Sequence, residues 1–348
     1  MPRREFLKLA ALTGALTGCQ VLRPTPEPVP AAEPTSAPSP TADTQGLGTA
    51  RVAFVKTSDR EWGVRRAIGL LGINPIAGKT VFIKPNFNSS DPPPGSTHPD
   101  TLRSVAATLT EMGAESITIG DRSGMGDTGR VMEELAVYEL AEDLGAAVVN
   151  FHELGAEDWE MFDPPGCHWE QGFAVARPCL EADALVQVCC LKTHRYGGHF
   201  TMSLKNSIGM VAGAIPGEDH DFMGELHNSS RQRSMIAEVN ASYSPALIVL
   251  DGLEAFTTGG PDKGKKVETE VVLAGTDRIA VDAVGVALLR RFGTTAAVHR
   301  GAVFEQEQIA RAVELGLGVK GPHEVELVTA DADSAAYARE IKEILLSQ

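Results

Sequence analysis

The sequence predicts an α/β protein built on a doubly wound, mostly parallel sheet. Strand-like and helix-like patterns alternate from residue 51 onward, as βαβ units require. Two of the helical stretches stop at a glycine, Gly113 and Gly145, the residue that best closes a helix in the left-handed conformation. Four apolar runs also end in ionisable residues, and in open parallel sheets the ligand site lies beyond the carboxyl ends of the strands.

Residues 51–56 (RVAFVK) read as a strand, 61–71 as a helix and 80–85 (TVFIKP) as a second strand. Apolar residues at helical spacing over 99–112 predict a helix, 116–120 (SITIG) a strand, 128–144 one long helix and 146–151 (AAVVNF) a fourth strand. The middle of the chain is less regular. Strands are predicted at 173–175 and 184–191 (ALVQVCCL), then a Gly-, His- and Met-rich stretch over 193–228, a helix at 234–241 and a strand at 246–250 (ALIVL) closed by Asp251-Gly252. A strand at 271–274 and a helix at 279–292 follow. This pattern admits a second α/β subdomain, with a break near 152–182. There is no internal repeat and no long apolar span.

The first fifty residues have a different character. Arg3-Arg4-Glu5-Phe6-Leu7-Lys8 precedes a short apolar stretch, 9–16, and Leu16-Thr17-Gly18-Cys19 follows directly. The first motif resembles a twin-arginine export signal and the second a lipobox. Residues 1–18 are therefore expected to be a signal peptide, with Cys19 the lipid-bearing N-terminus of an exported, membrane-anchored protein. Residues 19–49 are rich in Pro, Ala and Thr, without apolar periodicity, and are expected to form a disordered tether ahead of an α/β domain over 50–348.

The formal charge of −15 argues against nucleic acid as a partner, because phosphate backbones need a basic stripe. Attachment to a membrane is expected through the lipid alone. Besides Cys19, the cysteines are Cys167, Cys179, Cys189 and Cys190, whose spacing fits no zinc or iron–sulfur motif. They read as buried thiols, with Cys189 and Cys190 on opposite faces of one strand.

The strand ends carry the chemistry. Lys84-Pro85-Asn86 closes the second strand, Gly120-Asp121 the third, Lys192-Thr193-His194 the cysteine-bearing one, and Asp251 the strand at 246–250. A lysine at the end of an apolar run is half-desolvated and calls for an anion. Lys84, Asn86, Lys205, Asn206 and Asp251 are therefore candidate ligand-binding residues for a small anionic molecule. His194, Lys192 and Asp121 are candidate catalytic residues, with His194 as general base. The loop 120–129 (GDRSGMGDTG) suits backbone amides turned toward an anion, and its Ser123 reads as a turn or capping residue. Five of the nine histidines, His168, His194, His199, His220 and His227, fall close together. Imidazoles beside carboxylates suit a divalent transition metal as cofactor, with His194 and His199 the candidate ligands; surface histidines are the competing account.

Lys84-Pro85-Asn86, His98-Pro99, Gly120-Asp121, Leu191-Lys192-Thr193-His194, Ser203-Leu204-Lys205-Asn206 with Gly209, and the stretch from Asp277 to Asp282 together resemble the family catalogued as domain of unknown function 362. The resemblance covers about 50–300 and implies no assigned activity. Some members carry ferredoxin-like cysteine motifs, implying a redox or iron–sulfur role; this sequence lacks those motifs. The layout is also similar to the nickel-pincer lactate racemase family in architecture. The expectation is an exported lipoprotein that acts on a small anionic metabolite. Capture of a solute or metal without catalysis is the alternative.

Overall fold

The computed structural model describes residues 49–347. The expected signal peptide, the Cys19 lipidation site and nearly all of the expected tether lie outside the described residues. The described residues form one compact unit.

The chain opens with β1 (Ala50–Lys56), α1 (Arg60–Leu71), β2 (Thr80–Lys84), α2 (Pro99–Glu111) and β3 (Ser116–Asp121). It continues with α3 (Thr128–Glu134), α4 (Val137–Leu144), β4 (Ala147–Asn150), β5 (Trp159–Phe162), β6 (Phe173–Ala176), α5 (Arg177–Glu181) and β7 (Ala184–His194). Then come β8 (His199–Thr201), α6 (Ser203–Asn206), α7 (Phe222–Asn228), α8 (Gln232–Val239), β9 (Pro245–Gly259) and β10 (Gly264–Gly275). The last elements are α9 (Arg278–Arg291), α10 (Ala296–His299), α11 (Glu307–Glu314), β11 (Val325–Val328) and α12 (Ala332–Leu346).

One sheet organises the molecule, in the order β11-β1-β10-β9-β7-β2-β3-β4, with β8 paired to the end of β7. All neighbours on the main path are parallel except β10, which runs antiparallel to both β1 and β9. Both faces are covered. Because side chains alternate along a strand, Leu247 and Val249 of β9 enter the core beneath α1, α2 and α4, while Ile248 and Leu250 enter the core beneath α9, α11 and α12. Residues apolar at both parities are what a strand buried on both faces needs. The predicted α/β class and doubly wound sheet are present.

Three local expectations are corrected. The predicted helix over 128–144 is two helices, broken where Ala136 adopts φ 54°; no glycine or proline marks that turn in the sequence. The strand predicted to close at Asp251-Gly252 runs on to Gly259 and pairs with β10 as a long hairpin. Among the described residues no separate α/β subdomain forms around a break near 152–182. That segment contributes the two-stranded β5–β6 ribbon with its own cluster of Trp159, Trp169 and Phe173, and β7, β9, β10 and β11 all return to the one sheet.

Chain order places the ligand crevice. From β2 the path moves outward through β3 and β4, then returns to β7 on the other side of β2. The boundary between β2 and β7 is thus the topological switch point, where an open α/β sheet leaves a crevice at its carboxyl edge.

Candidate functional site

A cavity of about 230 Å³ opens at that crevice. β2 delivers Lys84 and, in the extended segment after it, Asn86 and Asn88; all three line the cavity, as the period-2 alternation of an extended chain allows. β3 ends in Asp121, followed by Arg122 and Gly124. β7 contributes Lys192 and His194, again two residues apart, and β8 contributes Thr201, which stands opposite Lys192 in the ladder. Lys205 and Asn206 come from α6, and His227 from α7. Met125, Tyr196, Ile208, Met223 and Pro261 supply apolar surface.

The α6 turn is held from below. Asp282 of α9, fully buried, accepts from the backbone amides of Ser203 (2.8 Å) and Leu204 (3.0 Å). These are donors at the start of a helix that would otherwise lack partners. Burial pushes the Asp282 carboxyl up to about 7, against the pull of the two amides.

The lining contains four lysine and arginine side chains, Lys84, Arg122, Lys192 and Lys205, against one carboxylate, Asp121. Their hydrogen-bond inventories differ. Lys84 Nζ, with three donors, meets Asp121 Oδ1 at 2.7 Å, Pro85 O at 2.6 Å and Asn206 Oδ1 at 3.3 Å. Asp121 also accepts from the amides of Phe87 and Arg122, both at 2.7 Å. Its carboxyl is pushed up by burial and pulled back by Lys84 and these amides. Gly209 sits over this pair, and a methyl there would lie 2.7 Å from Lys84 Nζ and collide with Asp121 Oδ1.

Arg122 donates to the carbonyls of Val211, Ser123 and Ile208 and reaches Met223 Sδ. Lys192 donates to Asn86 Oδ1 (2.7 Å) and Gly95 O, which leaves one donor. Desolvation lowers its pKa. The half-buried Lys205 side chain makes no hydrogen bond and no ion pair to any described residue. Loss of solvent, then repulsion from Lys192 and Arg122, pushes its ammonium down to about 7.

Unpartnered polar atoms gather beside it. Asn88 Nδ2, Thr201 Oγ1 and His194 Nδ1 are buried without hydrogen-bond partners, and all three residues line the cavity. Buried polar atoms are nearly always paired, so such a cluster marks a place completed by something else. Burial holds the His194 imidazolium well below its usual range, helped by Lys205, Lys192, His227 and Arg195. The ring is neutral at neutral pH.

The structure therefore brings together Lys84, Asn86, Asp121, Lys192, His194, Lys205 and Asn206 of the sequence-predicted set, and separates two others. Asp251 lies below the edge, opposite Cys190 in the ladder, because β9 bulges beyond it. It accepts from Thr101 Oγ1 (2.6 Å) and Arg60 Nε (3.0 Å), so it fastens α1 and α2 to the sheet. His199 faces His194 in the ladder, but its φ of 63° breaks the strand alternation, and its charged neighbours are Arg233, Glu307 and Arg300.

The histidine cluster disperses as well. His168 binds Glu238 and His220 binds Glu225. Among the described residues no group of three or more His, Cys, Asp or Glu side chains could hold a metal ion. The cationic lining is also unfavourable to a dication, so the residues present do not fit the expected metal site at His194 and His199. The glycine-rich loop does not aim its first amides at the cavity. Those of Arg122, Ser123 and Met125 bind Asp121 Oδ1, Thr128 Oγ1 and Asn88 O. The four described cysteines are free, with Cys179, Cys189 and Cys190 buried.

Asn88, Arg122 and Thr201 were not among the sequence-predicted site residues, and His227 entered only as a member of the histidine cluster. Asn88 was legible, as the third member of the series 84, 86, 88. Thr201 and His227 come from elements that only tertiary pairing brings near.

An open α/β sheet with a cation-lined cavity at its switch point defines the class of this protein. The chain belongs to the family described as Domain of unknown function (DUF362), whose model matches residues 81–287, more than half of the sequence. It is similar to the thylakoid-associated protein sll1697 of Synechocystis sp., with 27% identity over 210 residues, 60% of this chain and 62% of that protein's length. Among solved structures, the lactate racemase apoprotein from Thermoanaerobacterium thermosaccharolyticum matches with a TM-score of 0.43 and 18% identity, over 66% of this chain and 54% of that one.

Proposed function

We propose that this protein binds a small oxyanionic metabolite, bearing a carboxylate or phosphate, at the β2–β7 crevice, and that Lys205 exchanges a proton with it. One observation carries the reading: Lys205, without a partner among the described residues, shares its cavity with three unpartnered buried polar groups and with the cations Lys192 and Arg122. Donors predominate, which is the chemistry an oxyanion satisfies. The Lys205 ammonium, the remaining donor of Lys192, Asn88 Nδ2 and Thr201 Oγ1 hold the anion.

The surroundings favour Lys205 over His194 as the base. A general base is most effective with a pKa near the working pH. Lys205 falls there, whereas His194 is held too low and acts as a neutral hydrogen-bonding partner. Export and anchoring through Cys19 belong to the same proposal and rest on residues 3–19 alone; on that placement the substrate is met outside the cytoplasm.

The test is calorimetric titration of the full chain with inorganic phosphate and with pyruvate. One saturable site is expected, weakened at least about tenfold in Lys205→Met, since a hydrogen bond to a charged group is worth about 1.5–3 kcal/mol. Wild-type affinity in Lys205→Met, or no saturable binding of either anion, overturns the reading.

A further inference from the structure

Lys205 carries chemistry that anion binding alone does not require. A lysine meant only to hold charge gains from a nearby carboxylate, which keeps it an ammonium. Here the one carboxylate lining the cavity, Asp121, is committed to Lys84 and two amides. The charged and titratable groups that do face Lys205 are Lys192 and His194 on β7, Arg122 after β3 and His227 on α7. None is negative.

Resting on the oxyanion reading above, the geometry points to Lys205 as a nucleophile that condenses with the carbonyl group of a small 2-oxo carboxylate to form an imine. A 2-oxo acid answers both halves of the cavity. Its carboxylate suits the donors of Lys192, Asn88 and Thr201, and its electrophilic carbon is one bond away. Gly198 supports the arrangement from the side. A methyl at that position would lie 2.8 Å from Lys205 Cε and 2.9 Å from His194 Nδ1, so only bare backbone lets the lysine arm and the unpartnered imidazole nitrogen pack on the same spot.

The step balances without an oxidant. The Lys205 lone pair attacks the carbonyl carbon, and the C=O π pair moves onto oxygen; the nitrogen passes one proton to that oxygen to give the carbinolamine and a second as the C–O bond breaks and the nitrogen lone pair forms the C=N bond. His194 relays these protons. Departure of that oxygen as water leaves a C=N bond, so amine and ketone give imine and water with no change of oxidation state. At neutral pH about half of Lys205 is the free amine, against on the order of one in a thousand for an ordinary lysine.

The experiment is borohydride trapping on the full chain with pyruvate and with 2-oxoglutarate, read by intact mass and peptide mapping, beside Lys205→Arg, which keeps a cation. The expected result is one reduced adduct per chain on Lys205, absent from Lys205→Arg, with a trapping rate that rises through about pH 7 rather than near 10. Saturable pyruvate binding without an adduct, or adducts scattered over other lysines equally in Lys205→Arg, overturns the imine and leaves the oxyanion reading standing. Neither binding nor adduct with either acid, together with no phosphate binding, overturns both. Thermal melts of the two proteins separate a lost nucleophile from a lost fold.

Discussion

Two walls of one cavity handle the same functional group in opposite ways. On the β2–β3 wall Lys84 has all three donors engaged and its carboxylate partner is equally full. On the α6 wall Lys205 has none engaged. A buried ion pair with its remaining valences filled is a joint, costly to break, whereas an unfilled cation is a cost carried by the fold until a ligand arrives. Satisfaction of hydrogen-bonding capacity, more than charge or position, separates the residue that builds the crevice from the one that works in it.

The largest expected effect breaks the saturated wall. Asp121→Asn leaves Lys84 buried and unmatched and should cost about 3–5 kcal/mol in denaturant unfolding; a loss under about 1 kcal/mol would mean that the pair is not a joint. Gly209→Ala forces a methyl onto the same pair, and the strain should cost about 1–3 kcal/mol. Asp251→Ala should destabilise by a similar amount, about 1–3 kcal/mol, by freeing Arg60 and Thr101, while phosphate affinity stays at the wild-type value. A parallel loss of affinity would return Asp251 to the site.

The opposite wall should respond with the opposite sign. Lys205 has a folded-state pKa of about 7, below its unfolded value, so the unfolded chain binds the extra proton between about pH 7 and 10. Its penalty is full below pH 7 and is relieved as pH rises through that window. Lys205→Met should therefore raise the melting temperature of the unliganded protein, most clearly at pH 6 and least at pH 10, by about 1 kcal/mol or more in stability. Affinity for sulfate, an oxyanion whose charge is constant in this range, should fall as pH rises through about 7, because the ammonium is lost. The smallest expected effect is that of His194→Gln, which should change phosphate affinity less than threefold and slow any turnover at Lys205. A variant that loses affinity and keeps turnover would reverse the roles given to these two residues.

Much of this was legible before any coordinates. Lys84, Asn86, Lys192 and His194 could be placed at strand ends because a short apolar run with a polar terminus has few other readings in an α/β pattern, and Asn88 was recoverable from the same period of two. Asp251 misled for a local reason: Asp-Gly reads as a strand end, and a bulge that lets the strand continue leaves no mark nearby. His199 misled because ladder register normally implies a shared face, and its positive φ cancels that implication. The histidine cluster was close in sequence only; Glu238 and Glu225 each claim one of its members.

By itself the sequence determined the α/β class, most of the alternating elements and the set of strand-end groups, because burial on both faces and helical periodicity are local patterns. Tertiary structure alone decided that β2 and β7 flank the switch point, that Lys84 is full and Lys205 empty, and that Arg122, Thr201 and His227 join them. Those outcomes depend on which donors and acceptors meet across more than a hundred residues, and hydrogen-bond satisfaction is a property of the assembled neighbourhood rather than of any segment.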